Sequence, residues 1–306
     1  MMMTPKTKVI VITGPTASGK TEISLKLAQA INGEIINCDA SQMKKDLNIG
    51  TAKLDLSQTN VKHYLIDFLK ADENYSIKDF QTNARKIISE INSSSEKKIP
   101  IIVGGTGLYI NALLYDYDLN DVGRNPDFEE KYKNIDNHSL HLLLEELNKD
   151  LANEIHENNR RRVLRALEKC MSFENTSNKK NTNMVYDVKI FCLCPERSEL
   201  YNRINMRVEK MLENGWVDEC RMLSNSSYDI EKIKDIGYPE IFQFLANEIS
   251  ENDMIEKIKQ KTRNYAKRQI TWFKNKLNCE WVELDYNNPD EAYECIYKKV
   301  IGFISE

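Results

Sequence analysis

Apolar positions along this 306-residue chain follow two rhythms, unbroken or alternating short runs and spacings of three and four. The first rhythm marks strands and the second marks helices. Val9-Ile10-Val11-Ile12 is the opening run, and an amphipathic stretch carrying Ile23, Leu25, Leu27, Ala28 and Ile31 follows it. Gly33–Asp39 predicts a second short strand, and His63–Asp67 is another short apolar segment. Ser76 caps a predicted helix running to about Ile91, with Asp79 in capping-box position. Ile99–Val103 reads as a buried strand and passes through Gly104-Gly105-Thr106-Gly107 into the helix Leu108–Leu114. Strands and helices alternate to this point, which predicts a doubly wound parallel sheet.

The rhythm changes near Tyr115. From there to about Tyr186 the patterns are helical, as in His141–Leu147 and Arg162–Glu168, and Asn175–Asn183 is a polar stretch with the composition of a mobile loop. Strand alternation returns at Asp187–Cys194. Arg197–Asn214 predicts one long helix ending at Gly215, on which Arg203 and Arg207 share a face away from the apolar stripe. Met254–Lys276 predicts a second long helix, Trp281–Leu284 the last strand, and a closing helix follows. The fold class is therefore α/β, a P-loop NTPase-like parallel sheet core with an all-α insertion domain. The core covers 1–115 and 187–306, and the insertion covers 116–186.

The P-loop follows from the stretch between the first strand and the first helix, Gly14-Pro15-Thr16-Ala17-Ser18-Gly19-Lys20-Thr21. G-x-x-x-x-G-K-T between a strand and a helix turns backbone N–H groups toward an anion, and the helix N-terminus adds positive field. Lys20 is placed to reach terminal phosphates and Thr21 to put its hydroxyl on Mg²⁺. The motif does not say which phosphate compound is held. Asp39 ends the second strand at the same sheet edge. By itself it reads equally as a site carboxylate or as a helix N-cap. Lys53, in the polar loop 48–53, is a second lysine in range of an anion.

Composition narrows the classes. Apolar residues are 41%, charged residues 29% and the net charge is −4, so no global basic field advertises nucleic acid and any such surface is a local patch. The first residues lack an apolar leader core and no run is long enough for a membrane span, which predicts a cytoplasmic protein. The seven cysteines form no C-x-x-C and read as reduced structural thiols. Two local patches exist. One is Arg263, Lys267, Arg268 and Lys274 with Tyr265, Trp272 and Phe273 interleaved; the other is Arg160-Arg161-Arg162 with Arg165. Each alone reads first as a solvated helix face. Two of them flanking a phosphate site shift the reading toward RNA contact and base stacking.

Several short motifs stand in a fixed order: GPTASGKT at 14–21, DASQ from Asp39, IGTAK at 49–53, GGTGLY at 104–109, RRVLRALE at 161–168, IGY at 236–238 and AKRQITW at 266–272. In that order the chain closely resembles the tRNA dimethylallyltransferase family, over almost its whole length. The resemblance implies transfer of a dimethylallyl group from dimethylallyl diphosphate to N6 of the adenosine 3′ of the anticodon, in tRNAs reading codons that begin with U. Diphosphate leaves, Mg²⁺ is required, and the adenosine is flipped into the protein. The resemblance makes Asp39 the general base and Thr106 a contact to the target adenosine. It assigns Gly14, Pro15, Thr16, Ala17, Ser18, Gly19, Lys20 and Thr21 to diphosphate and metal, and Arg203 or Arg207 to the leaving group. The tRNA anticodon stem-loop falls to Asp39, Ala40, Ser41 and Gln42, to Arg161, Arg162, Val163, Leu164 and Arg165, and to Lys267, Arg268, Gln269, Trp272 and Lys274. This chain departs from the family in three places: Ala40 stands for a Ser, Glu129 for a common Arg, and 172–183 is divergent and asparagine-rich. The rival readings are a P-loop small-molecule kinase, and a P-loop protein that only binds RNA. The absence of an apolar heptad seam predicts a monomer.

Overall fold

The computed structural model describes residues 6–116, 125–171 and 183–306. The elements follow one another as β1 (Lys8–Thr13), α1 (Lys20–Ala30), β2 (Gly33–Asn37), β3 (His63–Tyr64), α2 (Ile77–Asn92), β4 (Ile99–Val103) and α3 (Gly107–Leu114). Next come α4 (Pro126–Lys131), α5 (Asn137–Leu147), α6 (Lys149–Glu154) and α7 (Arg160–Met171). The chain then returns through β5 (Asp187–Pro195), α8 (Arg197–Glu213), α9 (Trp216–Ser224), α10 (Tyr238–Leu245), α11 (Glu251–Lys276), β6 (Glu280–Leu284) and α12 (Pro289–Ser305). Six parallel strands lie in the order β3-β2-β4-β1-β5-β6. The expected P-loop NTPase-like sheet is the one found, and the predicted strands are its strands.

β1 is central, and its Val9–Ile12 run is buried on both faces, which is why it shows no alternation. One face packs Ile10, Ile12, Phe191 and Val282 against Ile23 and Leu27 of α1 and Ile296 and Val300 of α12. The predicted capping box of α2 is present, with Ser76 and Asp79 bonding each other's backbone. α11 begins three residues before the expected Met254, because Ser250 accepts from the Asp253 N–H and starts the helix there. Among the described residues no helix is long and apolar enough to cross a membrane.

The chain divides into two compact units, Met1–Tyr115 with Asn183–Glu306, and Asp116–Thr182. The first unit resumes four residues before the expected Asp187. Met184 bridges Tyr115, and the Val185 N–H donates to Leu114 O at 2.8 Å, so this segment is tied to the sheet's connections before β5 starts. Residues 172–182 of the asparagine-rich stretch lie outside the described residues. The helical unit has its own core of Leu140, Leu144, Val163, Leu164 and Leu167.

Candidate functional site

The site is built where β1, β2 and β4 end. Gly14 has a φ of +148°, and a Cβ there would lie 2.9 Å from both Leu193 O and Ser18 Oγ, so the loop needs glycine at that turn. The Lys20 ammonium is folded back onto its own loop, donating to Gly14 O at 3.0 Å and Pro15 O at 2.7 Å. Burial lowers its pKa to about 8, opposed by the nearby Asp39 carboxylate and assisted by Arg207.

Asp39 is half-buried two residues past the end of β2. It is no helix N-cap: its Oδ1 accepts from the Ser41 N–H at 3.1 Å inside a turn. Asn37 brackets it from behind, accepting from the Asp39 N–H and donating to its carbonyl. Burial raises the Asp39 pKa above the ordinary carboxylate value, against the pull of Lys20 and the Ser41 and Gln42 amides, with Asp235 adding to the rise. Thr106 lies across the same edge, and its Oγ1 accepts from the Ala40 N–H at 3.2 Å. Burial lowers the Arg207 pKa, with Asp39 opposing and Arg203 adding to the fall. One turn back on α8, the Arg203 guanidinium sits 4.4 Å from the Tyr286 ring centroid, and Tyr286 OH donates to the P-loop carbonyl of Ala17 at 3.0 Å. Arg207 thus shares a field with Lys20 and Asp39, while Arg203 is braced against the loop. Lys20 and Asp39 line a depression of about 60 Å³, and half-buried Arg207 acts on both through its field. Desolvated cations of this kind are offset by an anion arriving between them.

Oxygen donors line that depression, among them Thr21, Ser24, Asn37 and Gln42, with Asp39. Among the described residues no three His, Cys, Asp or Glu side chains gather as a metal cage. Hard oxygen ligands with a single carboxylate suit a divalent ion whose remaining ligands are phosphates and water.

Several sequence expectations change. Lys53 does not face the anion site; its ammonium donates to Lys44 O, Asn48 Oδ1 and Asp67 Oδ1, so it ties a loop together. Beside Ala40, which stands for the family's serine, the Ser41 hydroxyl donates to Asp235. Gln269 is no surface contact. It is 6% exposed, its Oε1 accepts from the Thr16 N–H at 2.8 Å, and its Nε2 donates to Gly105 O at 3.0 Å. One planar amide thereby joins the P-loop to the second glycine turn. A Cβ at Gly105 would come within 2.2 Å of Nε2, so that turn needs glycine for the approach. The sequence carries the signal for this: Ala266, Gln269 and Phe273 share the buried stripe of α11 at helical spacing.

Val163 and Leu164 are core residues of the helical unit, 0% and 7% exposed, and so are withdrawn from any outside partner. Arg165 pairs with Glu168 at 2.6 Å, and Arg160 donates to the carbonyls of Tyr132 and Ile135. Arg161 and Arg162 are exposed on α7. On α11 Lys267, Arg268 and Lys274 are exposed, and Lys267, Arg268 and the half-buried Trp272 line an open groove of about 490 Å³. Sequence reasoning misses Asp235, Tyr286 and Glu219. Buried Glu219 accepts from the N–H groups of Asn48, Ile49 and Gly50 and from Tyr238 OH, which fixes the IGTAK loop. No spacing rule links residues so far apart in sequence.

The model of the family described as IPP transferase matches residues 42–276. A tRNA dimethylallyltransferase of Clostridioides difficile is 42% identical over 94% of this chain and 95% of its own length. One from Staphylococcus carnosus is 41% identical over 92% and 93%. Among solved structures, the tRNA isopentenylpyrophosphate transferase of Bacillus halodurans superposes with a TM-score of 0.73 at 36% identity, covering 98% of this chain and 97% of that one. A eukaryotic dimethylallyltransferase acting on tRNA gives 0.74 at 29% identity, over 90% of this chain and 74% of that one. Matched along nearly its whole length by relatives above 40% identity, and by the family model from Gln42 to Lys276, the chain belongs to the IPP transferase family.

Proposed function

We propose that this protein transfers a dimethylallyl group from dimethylallyl diphosphate to N6 of the adenosine 3′ of the anticodon, in tRNAs that read codons beginning with U. The observation that carries the reading is the depression at the P-loop lined by Lys20 and Asp39, with Arg207 in their field and no second carboxylate beside Asp39 among its described lining residues. The loop amides and Lys20 bind the diphosphate. Thr21 would hold Mg²⁺ through its hydroxyl. The ion, when bound, helps neutralise charge on the departing diphosphate.

The adenosine amine attacks C1 of the prenyl group as the C1–O bond breaks. The bonding pair leaves on diphosphate, and the N6 proton passes to the Asp39 carboxylate. The raised pKa of Asp39 makes it a stronger base than an exposed aspartate. Lys20, Arg207 and, from one turn back, Arg203 stabilise the charge that grows on the leaving oxygens, which is the main catalytic contribution in a reaction of this kind. Thr106 meets the target base beside Asp39. Exposed Lys267, Arg268 and Lys274 with Trp272 on α11, and Arg161 and Arg162 on the helical unit, bind the anticodon stem-loop through phosphate interactions and stacking. The protein works in the cytoplasm as a monomer.

The test is incubation with labelled dimethylallyl diphosphate, Mg²⁺ and unmodified tRNA, with an ATP control. Label in tRNA that disappears without Mg²⁺ and is indifferent to ATP is the expected result. ATP hydrolysis without label in tRNA overturns the reading in favour of a kinase.

A further inference from the structure

Asp235 lies between α9 and α10, far from Asp39 in sequence, and both its carboxylate oxygens are committed to the turn that holds Asp39. Oδ1 accepts from Ser41 Oγ at 2.5 Å and Oδ2 from the Lys44 ammonium at 2.7 Å. The ion pair is well shielded, with its side chains 16% and 13% exposed. Ser41 is the residue whose N–H donates to Asp39 Oδ1. Asp235 is therefore two links from the reacting carboxylate, through the hydroxyl and the backbone of one serine. The rest of the turn is pinned elsewhere: the Ala40 N–H donates to Thr106, the Asp67 N–H to Gln42 O at 3.0 Å, and the Lys44 N–H to Ser41 O at 3.2 Å.

We propose that Asp235 is a positioning residue for Asp39, clamping Ser41 and Lys44 so that the Ser41 amide holds the Asp39 carboxylate in one orientation toward the P-loop. The inference rests on the reading of Asp39 as the base. Its physical basis is the steep dependence of a proton transfer on placement: a carboxylate free to rotate spends less time at the geometry the attacking amine needs. A shielded ion pair by itself contributes little net stability, because desolvating both charges offsets their attraction. A purely structural pair therefore predicts no change in turnover per folded molecule, whereas a positioning pair predicts a loss that passes through Asp39.

A double-mutant cycle reads this directly. Asp235→Ala is expected to lower kcat about tenfold, with KM for dimethylallyl diphosphate and for tRNA within about twofold of the parent. Added to Asp39→Ala, the same substitution is expected to lower the residual rate no further, since the group it positions is already gone. Ser41→Ala keeps the Lys44–Asp235 pair and removes only the link through the Ser41 hydroxyl, so it carries the same test if Asp235→Ala does not fold; about a fivefold fall in kcat is expected. An unchanged kcat in folded Asp235→Ala and Ser41→Ala, or equal losses with and without Asp39, overturns the inference. If Asp39→Ala is inactive while Asp235→Ala is normal, only the positioning role fails. If Asp39→Ala turns over like the parent, the base assignment falls and this role falls with it.

Discussion

Charge is used in opposite ways at the P-loop corner and on the basic faces of α7 and α11. At the corner, Lys20, Asp39 and Arg207 are drawn out of water, and burial shifts their protonation more than each other's fields do. On the helices, Arg161, Arg162, Lys267, Arg268 and Lys274 remain exposed. Withdrawn charges can stabilise a changing charge distribution, because nothing nearby must reorganise when it forms. Exposed charges attract a polyanion at long range and are screened by salt. In the proposed function the same residue types divide into chemistry and capture according to what surrounds them.

The contrast breaks most sharply at Asp39. Asp39→Ala is expected to lower kcat by roughly 10²–10⁴-fold, the usual worth of a positioned base, with the tRNA dissociation constant unchanged. Single-turnover rates beside filter binding measure both. On α7 the comparison runs inside one helix. Leu164→Ala is expected to destabilise the protein by roughly 2–5 kcal/mol, whereas Arg161→Ala stays within about 0.5 kcal/mol and shows only in tRNA affinity. Denaturant unfolding separates them. On α11, Gln269→Leu orphans the Thr16 N–H and the Gly105 carbonyl, at roughly 1–3 kcal/mol each, and raises KM for the prenyl donor. Lys267→Ala does neither.

The corner also predicts a pH profile. Asp39 must be ionised to accept a proton, so kcat/KM for the donor rises with pH through a pKa above the ordinary carboxylate value. Lys20 must be protonated to bind diphosphate, so the same parameter falls as pH passes about 8. A profile flat through pH 8 would remove Lys20 from donor binding. The smallest effect lies on the exposed face. Lys267→Ala or Arg268→Ala, each removing one cation from the phosphate backbone, is expected to lower the slope of log affinity against log salt by about 0.7–0.9, with kcat unaltered at saturating tRNA.

What the sequence makes legible follows the same division. Five of the six strands, the P-loop and the place of Asp39 at a strand end are readable because strand, glycine turn and helix N-terminus are local patterns a few residues long, whereas the two-residue β3 shows only as a short apolar segment. Lys53 misleads because its partners, Asn48, Asp67 and the Lys44 carbonyl, come from separate loops. Val163 and Leu164 mislead when RRVLRALE is read as one contacting motif, because helical periodicity buries them with Ala166, Leu167 and Glu168. Gln269 combines both difficulties: its place in the buried stripe is readable, but its partners lie more than 150 residues away.

The order of the sheet has a consequence for how the protein is made. β1 pairs with β4 on one side and β5 on the other, and the whole helical unit is encoded between those two neighbours. At ribosomal speeds of roughly 5–20 residues per second, the stretch from Val103 to Asp187 keeps one edge of β1 unpaired for about 4–17 s. Arg207, Asp235, Gln269 and Tyr286 emerge later still. The phosphate loop is thus among the first segments synthesised and among the last to become competent, so a nascent or prematurely terminated chain carries a complete G-x-x-x-x-G-K-T and no working donor site.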